Sequence, residues 1–295
     1  MRRLFKGSVP SGQRTAAAQS IDLLIFGDGT GPGQMKEVRA ASSTIELGIY
    51  VKCGGVRTTD AEWSAAQPYL WRQPDGTPYT QGQYGWAYAD LQKYAVEWAK
   101  NVVIPHVEAT LAQLPPGTIQ WVMVDNCIYQ HPSLFVPKMP PDYVIPTYHD
   151  ATLRVLLELR AWLDDPAQVA RFGKQKILVN GRQGSAPPSY QGQALGSTSP
   201  NYCDGVWFEG MLWKTGGDVQ DTTRYEQDLG AFLNLLRAKK VCVWDEPGAG
   251  KKAGDPMEKR RSFGYFSAAT SVAINGDNGY FNESSARWAD WVRAL

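Results

Sequence analysis

Short runs of β-branched and aliphatic residues alternate along this chain with longer amphipathic stretches. The apolar runs at 3–6, 21–27, 44–52, 119–125, 176–180, 204–209, 240–245 and 279–282 predict strands. The stretches at 12–19, 34–41, 88–114, 149–164, 188–196, 221–238, 257–273 and 284–294 predict helices. Strand–helix alternation implies a parallel sheet with helical crossovers. Eight such units in 295 residues imply an α/β fold of one (β/α)8 TIM-type barrel domain over residues 1–295. Several boundaries have a local cause. Pro115-Pro116-Gly117 ends the long helix, because proline cannot donate the next hydrogen bond. Asp221-Thr222-Thr223 offers N-caps to a helix in which Leu229, Phe232, Leu233 and Leu236 recur at helical spacing. Leu153, Leu156, Leu157 and Leu163 form an apolar stripe broken by Arg160.

Period-two alternation sorts strand faces. Trp121, Met123 and Asp125 share one face, with Val122 and Val124 on the other. Gly205, Trp207 and Glu209 share a face, and so do Gly48, Tyr50 and Lys52 against Leu47, Ile49 and Val51. Asp245 and Glu246 point opposite ways, and either is the lumen residue on this pattern. Two long segments, 53–87 and 126–147, are rich in aromatics, glycine and proline and follow strands. They are expected as functional loops at the barrel's C-terminal face, where the active sites of this architecture sit.

Composition narrows the function. Thirty Lys and Arg against 29 Asp and Glu give a net charge of +1, which argues against a nucleic-acid binder with a basic face. Hydrophobic and charged contents of 43% and 20% are those of a globular protein. Aromatic residues reach 12%, with 11 Trp and 14 Tyr, pointing to a large core, flat sugar-like ligands, or both. No apolar run is long enough for a membrane span, and Met1-Arg2-Arg3-Leu4-Phe5-Lys6 lacks the apolar stretch of a signal peptide. The expected location is the cytoplasm or a larger particle such as a virion, and the oligomeric state is open. Cys53, Cys127, Cys203 and Cys242 form no C-x-x-C and are expected as buried thiols. The predicted strands nonetheless bring Cys53 near Cys127 and Cys203 near Cys242, which leaves one or two bridges open. His106, His131 and His149 lack metal-binding spacing, so no metal is expected, and His106 reads as a structural helix residue. The Gly27–Gly33 stretch lacks the Lys-Ser/Thr of a phosphate loop, and no G-x-S-x-G elbow occurs.

The chemistry is carried by strand ends. Asp125, Asn180, Glu209 and Asp245-Glu246 each close a hydrophobic strand. Two carboxyl groups at an aromatic-lined mouth suit glycoside hydrolysis, in which one attacks or activates water and the other protonates the leaving oxygen. The ordered set Trp71, Asp75-Gly76, Tyr79, Asp125-Asn126, Asn180-Gly181, Asp204-Gly205-Val206, Glu209-Gly210 and Asn278-Gly279-Tyr280-Phe281 resembles the glycoside-hydrolase-like barrels of bacterial and phage genomes. Val124-Asp125-Asn126-Cys127 is also similar to the nucleophile strand of α-galactosidase-like barrels, without their other sugar-binding residues. The resemblance implies a glycosidase acting on an oligo- or polysaccharide, with Asp125 as nucleophile or base and Glu209 as acid. Tyr50, Lys52, Trp71, Asn126, Asn180, Trp207, Trp244, Asp245 and Glu246 are the candidate carbohydrate-binding residues, and no cofactor is needed. Two alternatives stand beside it: a non-catalytic carbohydrate-binding protein on a degenerate barrel, and a Schiff-base lyase or aldolase using Lys52.

Overall fold

The computed structural model describes residues 2–81, 85–125, 140–180, 203–209, 241–245 and 279–282. Its strands in chain order are β1 (Arg2–Lys6), β2 (Leu23–Phe26), β3 (Glu46–Lys52), β4 (Gly55–Val56), β5 (Thr80–Gln81) and β6 (Trp86–Tyr88). They continue with β7 (Trp121–Asp125), β8 (Lys176–Asn180), β9 (Gly205–Glu209), β10 (Val241–Asp245) and β11 (Gly279–Asn282). The helices are α1 (Arg14–Ser20), α2 (Pro32–Ala41), α3 (Trp63–Ala66), α4 (Leu91–Trp98), α5 (Ile104–Leu111), α6 (Ile145–Asp164) and α7 (Pro166–Phe172). A curled parallel sheet runs β1-β11-β10-β9-β8-β7-β3-β2, with β2 pairing back onto β1. All eight predicted strands are in it. The predicted helices at 188–196, 221–238, 257–273 and 284–294, with the N-cap at Asp221, lie outside the described residues. Among the described residues, no helix is long and apolar enough to cross a membrane.

Strand parity builds two cores. Leu23, Ile25, Tyr50, Trp121, Met123, Leu178, Trp207 and Val243 pack together inside the sheet. Leu24, Phe26, Leu47, Ile49, Val51, Val122, Val124, Ile177, Val179, Val206 and Cys242 pack outward against the helices. Branched residues on both faces are what a sheet buried on both sides requires. Large lumen rings need small neighbours. A Cβ on Gly48 would meet Ile25 Cδ1 at 2.3 Å and Trp121 Cβ at 3.0 Å, and one on Gly205 would meet the Val241 carbonyl at 2.8 Å. The foot of the lumen is closed by Trp121, whose Nε1 donates to Glu46, and by Lys176, 4.8 Å from the Trp121 ring.

Three elements differ from the sequence expectation. The stretch at 88–114 is α4 and α5 joined by a π-helical segment, Ala99–Val103. Pro105 accounts for the widened turn, since it has no N–H for the preceding carbonyls. Helix α6 starts one turn early, with proline in its first turn, and α7 follows it, capped by the Asp165 carboxylate accepting from the Ala167 N–H at 2.7 Å. On α6 the buried stripe is Val155, Leu156, Leu159 and Leu163, whereas Leu157 is exposed. Arg160 interrupts nothing: it reaches Asp204 below β9. The segment 53–87 is not a plain loop either. It builds a small antiparallel sheet, β4-β6-β5, beside the mouth.

Candidate active site

Parallel strands of one sheet bring their C-terminal residues to the same rim, so Lys6, Lys52, Asp125, Asn180, Glu209 and Asp245 all stand at one end. Asp125 has the parity of Trp121 and Met123 and crowns the lumen side of β7. The Tyr50 hydroxyl donates to Asp125 Oδ2 at 2.5 Å. Burial pushes the Tyr50 phenol well above its ordinary range, and the Asp125 charge pushes it further, so Tyr50 keeps its proton and remains the donor. Lys6 Nζ lies 3.9 Å from the same carboxylate oxygen, 4.7 Å from the Tyr50 ring centre and 5.6 Å from that of Trp207. Trp207 itself is buried, on the strand position paired with Asn180. Asn180 is 9% exposed at the end of β8, between β7 and β9.

A second charged group sits beside the first. Lys52 Nζ is 2.7 Å from Asp28 Oδ2 and 3.1 Å from Asp60 Oδ2, and 4.7 Å above the Trp86 ring. The Arg57 guanidinium is 3.8 Å from Asp28, and its backbone N–H donates to Asp60 at 2.8 Å. The Lys52 side chain is only 6% exposed. A Schiff-base role needs an amine that a carbonyl substrate can reach, and this one is enclosed by two carboxylates and an indole. Lys52 and Asp125 are Cα partners across β3 and β7, yet Lys52 is committed to the acids that follow β2 and β4. A cavity of about 30 Å³, room for a water or two, is bordered by Asp28, Lys52, Asp60, Glu62 and His106. His106 Nδ1 is 2.6 Å from Glu62 Oε1. Burial opposes the His106 charge, but the Glu62 carboxylate outweighs it and holds the imidazole above its ordinary range. The same bond holds Glu62 below the usual carboxylate range.

The structure brings Tyr50, Asp125 and Trp207 into one cluster with Asn180 on the adjoining strand. It does not bring Trp71 there. Trp71 is 5% exposed, stacked on Tyr148 at 5.5 Å and edge-on to Tyr143 at 5.6 Å, a packing role between the inserted segment and α6. The backbone pairs Glu209 with Asp245, and β8 alone separates β7 from β9. At ~4.8 Å per strand, the ends of β7 and β9 stand roughly 10 Å apart along the sheet. Trp244 lies on β10, whereas Asn126 and Glu246 lie outside the described residues, as do Cys127 and His131. Cys53 is a buried free thiol, and Cys203 and Cys242 are buried neighbours. Among the described residues, no group of three or more His, Cys, Asp or Glu could hold a metal ion.

Sequence reasoning missed Lys6, Asp28, Arg57 and Asp60. Lys6 and Asp28 carried a usable signal. Lys6 ends a strand and Asp28 closely follows one, the strand-end rule that singled out Asp125. Arg57 and Asp60 carried none, because only the folded insertion brings them to Lys52.

No protein-family model and no curated protein matches the chain. Solved structures do. A variant of the PelA glycoside hydrolase domain from Pseudomonas aeruginosa aligns with a TM-score of 0.60 at 12% identity, over 96% of this chain and 94% of that one. TtGalA, an alpha-galactosidase from Thermus thermophilus in complex with stachyose, aligns with a TM-score of 0.51 at 11% identity, over 99% of this chain and 63% of that one. A variant of the GH36 alpha-galactosidase AgaA from Geobacillus stearothermophilus, in complex with raffinose, gives 0.50 at 13% identity, over the whole of this chain and 40% of that one. The chain thus spans nearly the full PelA domain and under two thirds of either galactosidase. At such identities it is the fold that is shared: this chain has the α/β barrel-type architecture of glycoside hydrolases.

Proposed function

We propose that the protein is a glycoside hydrolase acting on an oligo- or polysaccharide, built as one (β/α)8 barrel domain over residues 1–295. The observation that carries this reading is Asp125 at the rim of the lumen, accepting from Tyr50 and flanked by Lys6, on a fold shared with glycoside hydrolases. Asp125 is the nucleophile or the base. Both roles need a carboxylate at the rim, and the Tyr50 hydroxyl donor fixes its orientation there. Glu209 is the general acid. It ends β9, and the backbone register pairs position 209 with position 245 at the end of the neighbouring β10. Position 245 has the parity of Val241 and Val243, so Asp245 rather than Glu246 is the choice for the lumen side. Tyr50, Asn126 and Asn180 complete the candidate carbohydrate contacts, and the mechanism draws on no cofactor.

Hydrolysis of a glycan panel by wild type and by Asp125→Asn tests this. Wild type is expected to release reducing ends from at least one member. Asp125→Asn is expected to lose about 10³-fold or more in kcat while still binding that glycan. Binding without hydrolysis in both proteins is the outcome that would make the protein a carbohydrate-binding module on a degenerate barrel.

A further inference from the structure

We propose that Lys6 is a specificity-determining residue that receives an anionic ring substituent, a carboxylate or a sulfate, on the saccharide held at Asp125. This rests on the glycosidase reading above and names its substrate class. Lys6 ends β1 at the rim, with its side chain 31% exposed. Among the described residues, Asp125 is the one carboxylate within 4 Å of its ammonium, and at 3.9 Å the pair is too long for a hydrogen bond. Its nearest neighbours besides are the Tyr50 and Trp207 rings, which stabilise a cation but accept no conventional hydrogen bond. Lys52 is different. It has carboxylates of its own in Asp28 and Asp60, and Arg57 shares Asp28.

Charge balance across the reaction favours such a substituent. If Asp125 attacks, its oxygen bonds the anomeric carbon, the glycosidic C–O bond breaks, and the leaving oxygen takes the proton of Glu209. If Asp125 acts as base, it takes a proton from the attacking water. In both cases the negative charge opposite Lys6 is lost or shared into a bond, just as positive charge develops on the sugar ring. An uncompensated ammonium a few ångströms away opposes that charge. A neutral sugar leaves the imbalance in place. A ring carrying its own carboxylate or sulfate removes it, and supplies the strong acceptor that the Lys6 N–H groups lack in the described structure.

The test uses paired oligosaccharides: uronate oligomers against their methyl esters, and sulfated oligomers against their desulfated forms. Titration calorimetry on the full chain reads binding, and reducing-end release is measured in parallel. At least one acidic member is expected to bind about tenfold or more tightly than its neutral partner in wild type and in Lys6→Arg, and equally in Lys6→Met. The pair that responds distinguishes carboxylate from sulfate. Should Lys6→Met not fold by circular dichroism, an ionic-strength series on the unmutated protein replaces it, with the acidic preference shrinking as salt rises. Equal affinity within every pair, or a preference that survives Lys6→Met, overturns the proposal. Neutral glycans hydrolysed equally by wild type and Lys6→Met would sink the Lys6 assignment and spare the glycosidase reading. An acidic preference without any hydrolysis would do the reverse, and no binding of any member overturns both.

Discussion

Three lysines and an arginine at residue scale show how position decides role. Lys176 closes the foot of the lumen beside Glu46 and Trp121, Lys52 and Arg57 are bound into a carboxylate cluster, and Lys6 faces the rim. Behind that cluster, His106 and Glu62 tie α5 to the segment that leads into α3. The groups facing His106 are Glu62 and Asp28, which favour its charge, and Lys52, which opposes it. The His106 value is raised above the ordinary 6.5, so its stabilisation is fully present below that and fades as pH climbs through the raised value. The Glu62 value is lowered from the ordinary 4.5, so its stabilisation is present above 4.5 and fades as pH falls through the lowered value. The pair therefore contributes most between about pH 4.5 and 6.5, and that part of the stability, about 1 kcal/mol, declines on the alkaline side. Urea unfolding of wild type and His106→Gln at several pH values checks this. The difference between them should shrink above neutrality, and a constant difference would count against the pair.

At the scale of the element, alternation along a strand was enough to assign faces. The lumen set of Tyr50, Trp121, Met123 and Trp207 is the one that period-two counting gives. Space inside the sheet is limited, and Gly48 is where the limit is met. Gly48→Ala is expected to cost about 1–3 kcal/mol in a urea titration, because Ile25 and Trp121 must both move. Gly33→Ala, in the first turn of α2 with nothing within 4 Å of the added Cβ, is the control, expected neutral or stabilising by up to about 1 kcal/mol. A Gly48→Ala protein as stable as wild type would mean that the lumen packs differently. The sheet β4-β6-β5 was not legible in the sequence. Its strands are two or three residues long, too short for period-two alternation to show, and Lys52 and Arg57 meet the Trp86 ring only in the folded chain.

For the whole molecule, strand order follows chain order around the sheet except where the 53–90 insertion intervenes between β3 and β7. The insertion is stitched to the barrel. The Cys53 N–H donates to the Asp125 carbonyl at 2.8 Å, and the Trp98 indole donates to the Cys53 carbonyl at 2.6 Å. Trp71 packs against Tyr148 of α6. We therefore propose that barrel and insertion unfold as one domain. Tryptophan fluorescence and far-UV circular dichroism should report a single, coincident urea transition. Two separated transitions would instead make the insertion an independent unit.

The sequence by itself determined the strands, their parallel order and the rim on which Asp125, Asn180 and Glu209 stand. Those depend on local periodicity and on the chirality of strand–helix connections, both of which act over neighbouring residues. It also pointed to Tyr50 and Trp207 as rim-side residues, because their strand parity is local information. Only the tertiary structure decided that Lys52 belongs to Asp28 and Asp60, that Trp71 stacks on Tyr148, and that Lys6 stands beside Asp125. Each of these is a contact between residues of separate elements, fixed by how the sheet curls to bring β1, β3 and β7 around one lumen. Charge pairing at such range leaves no trace in the spacing of residues along a single strand.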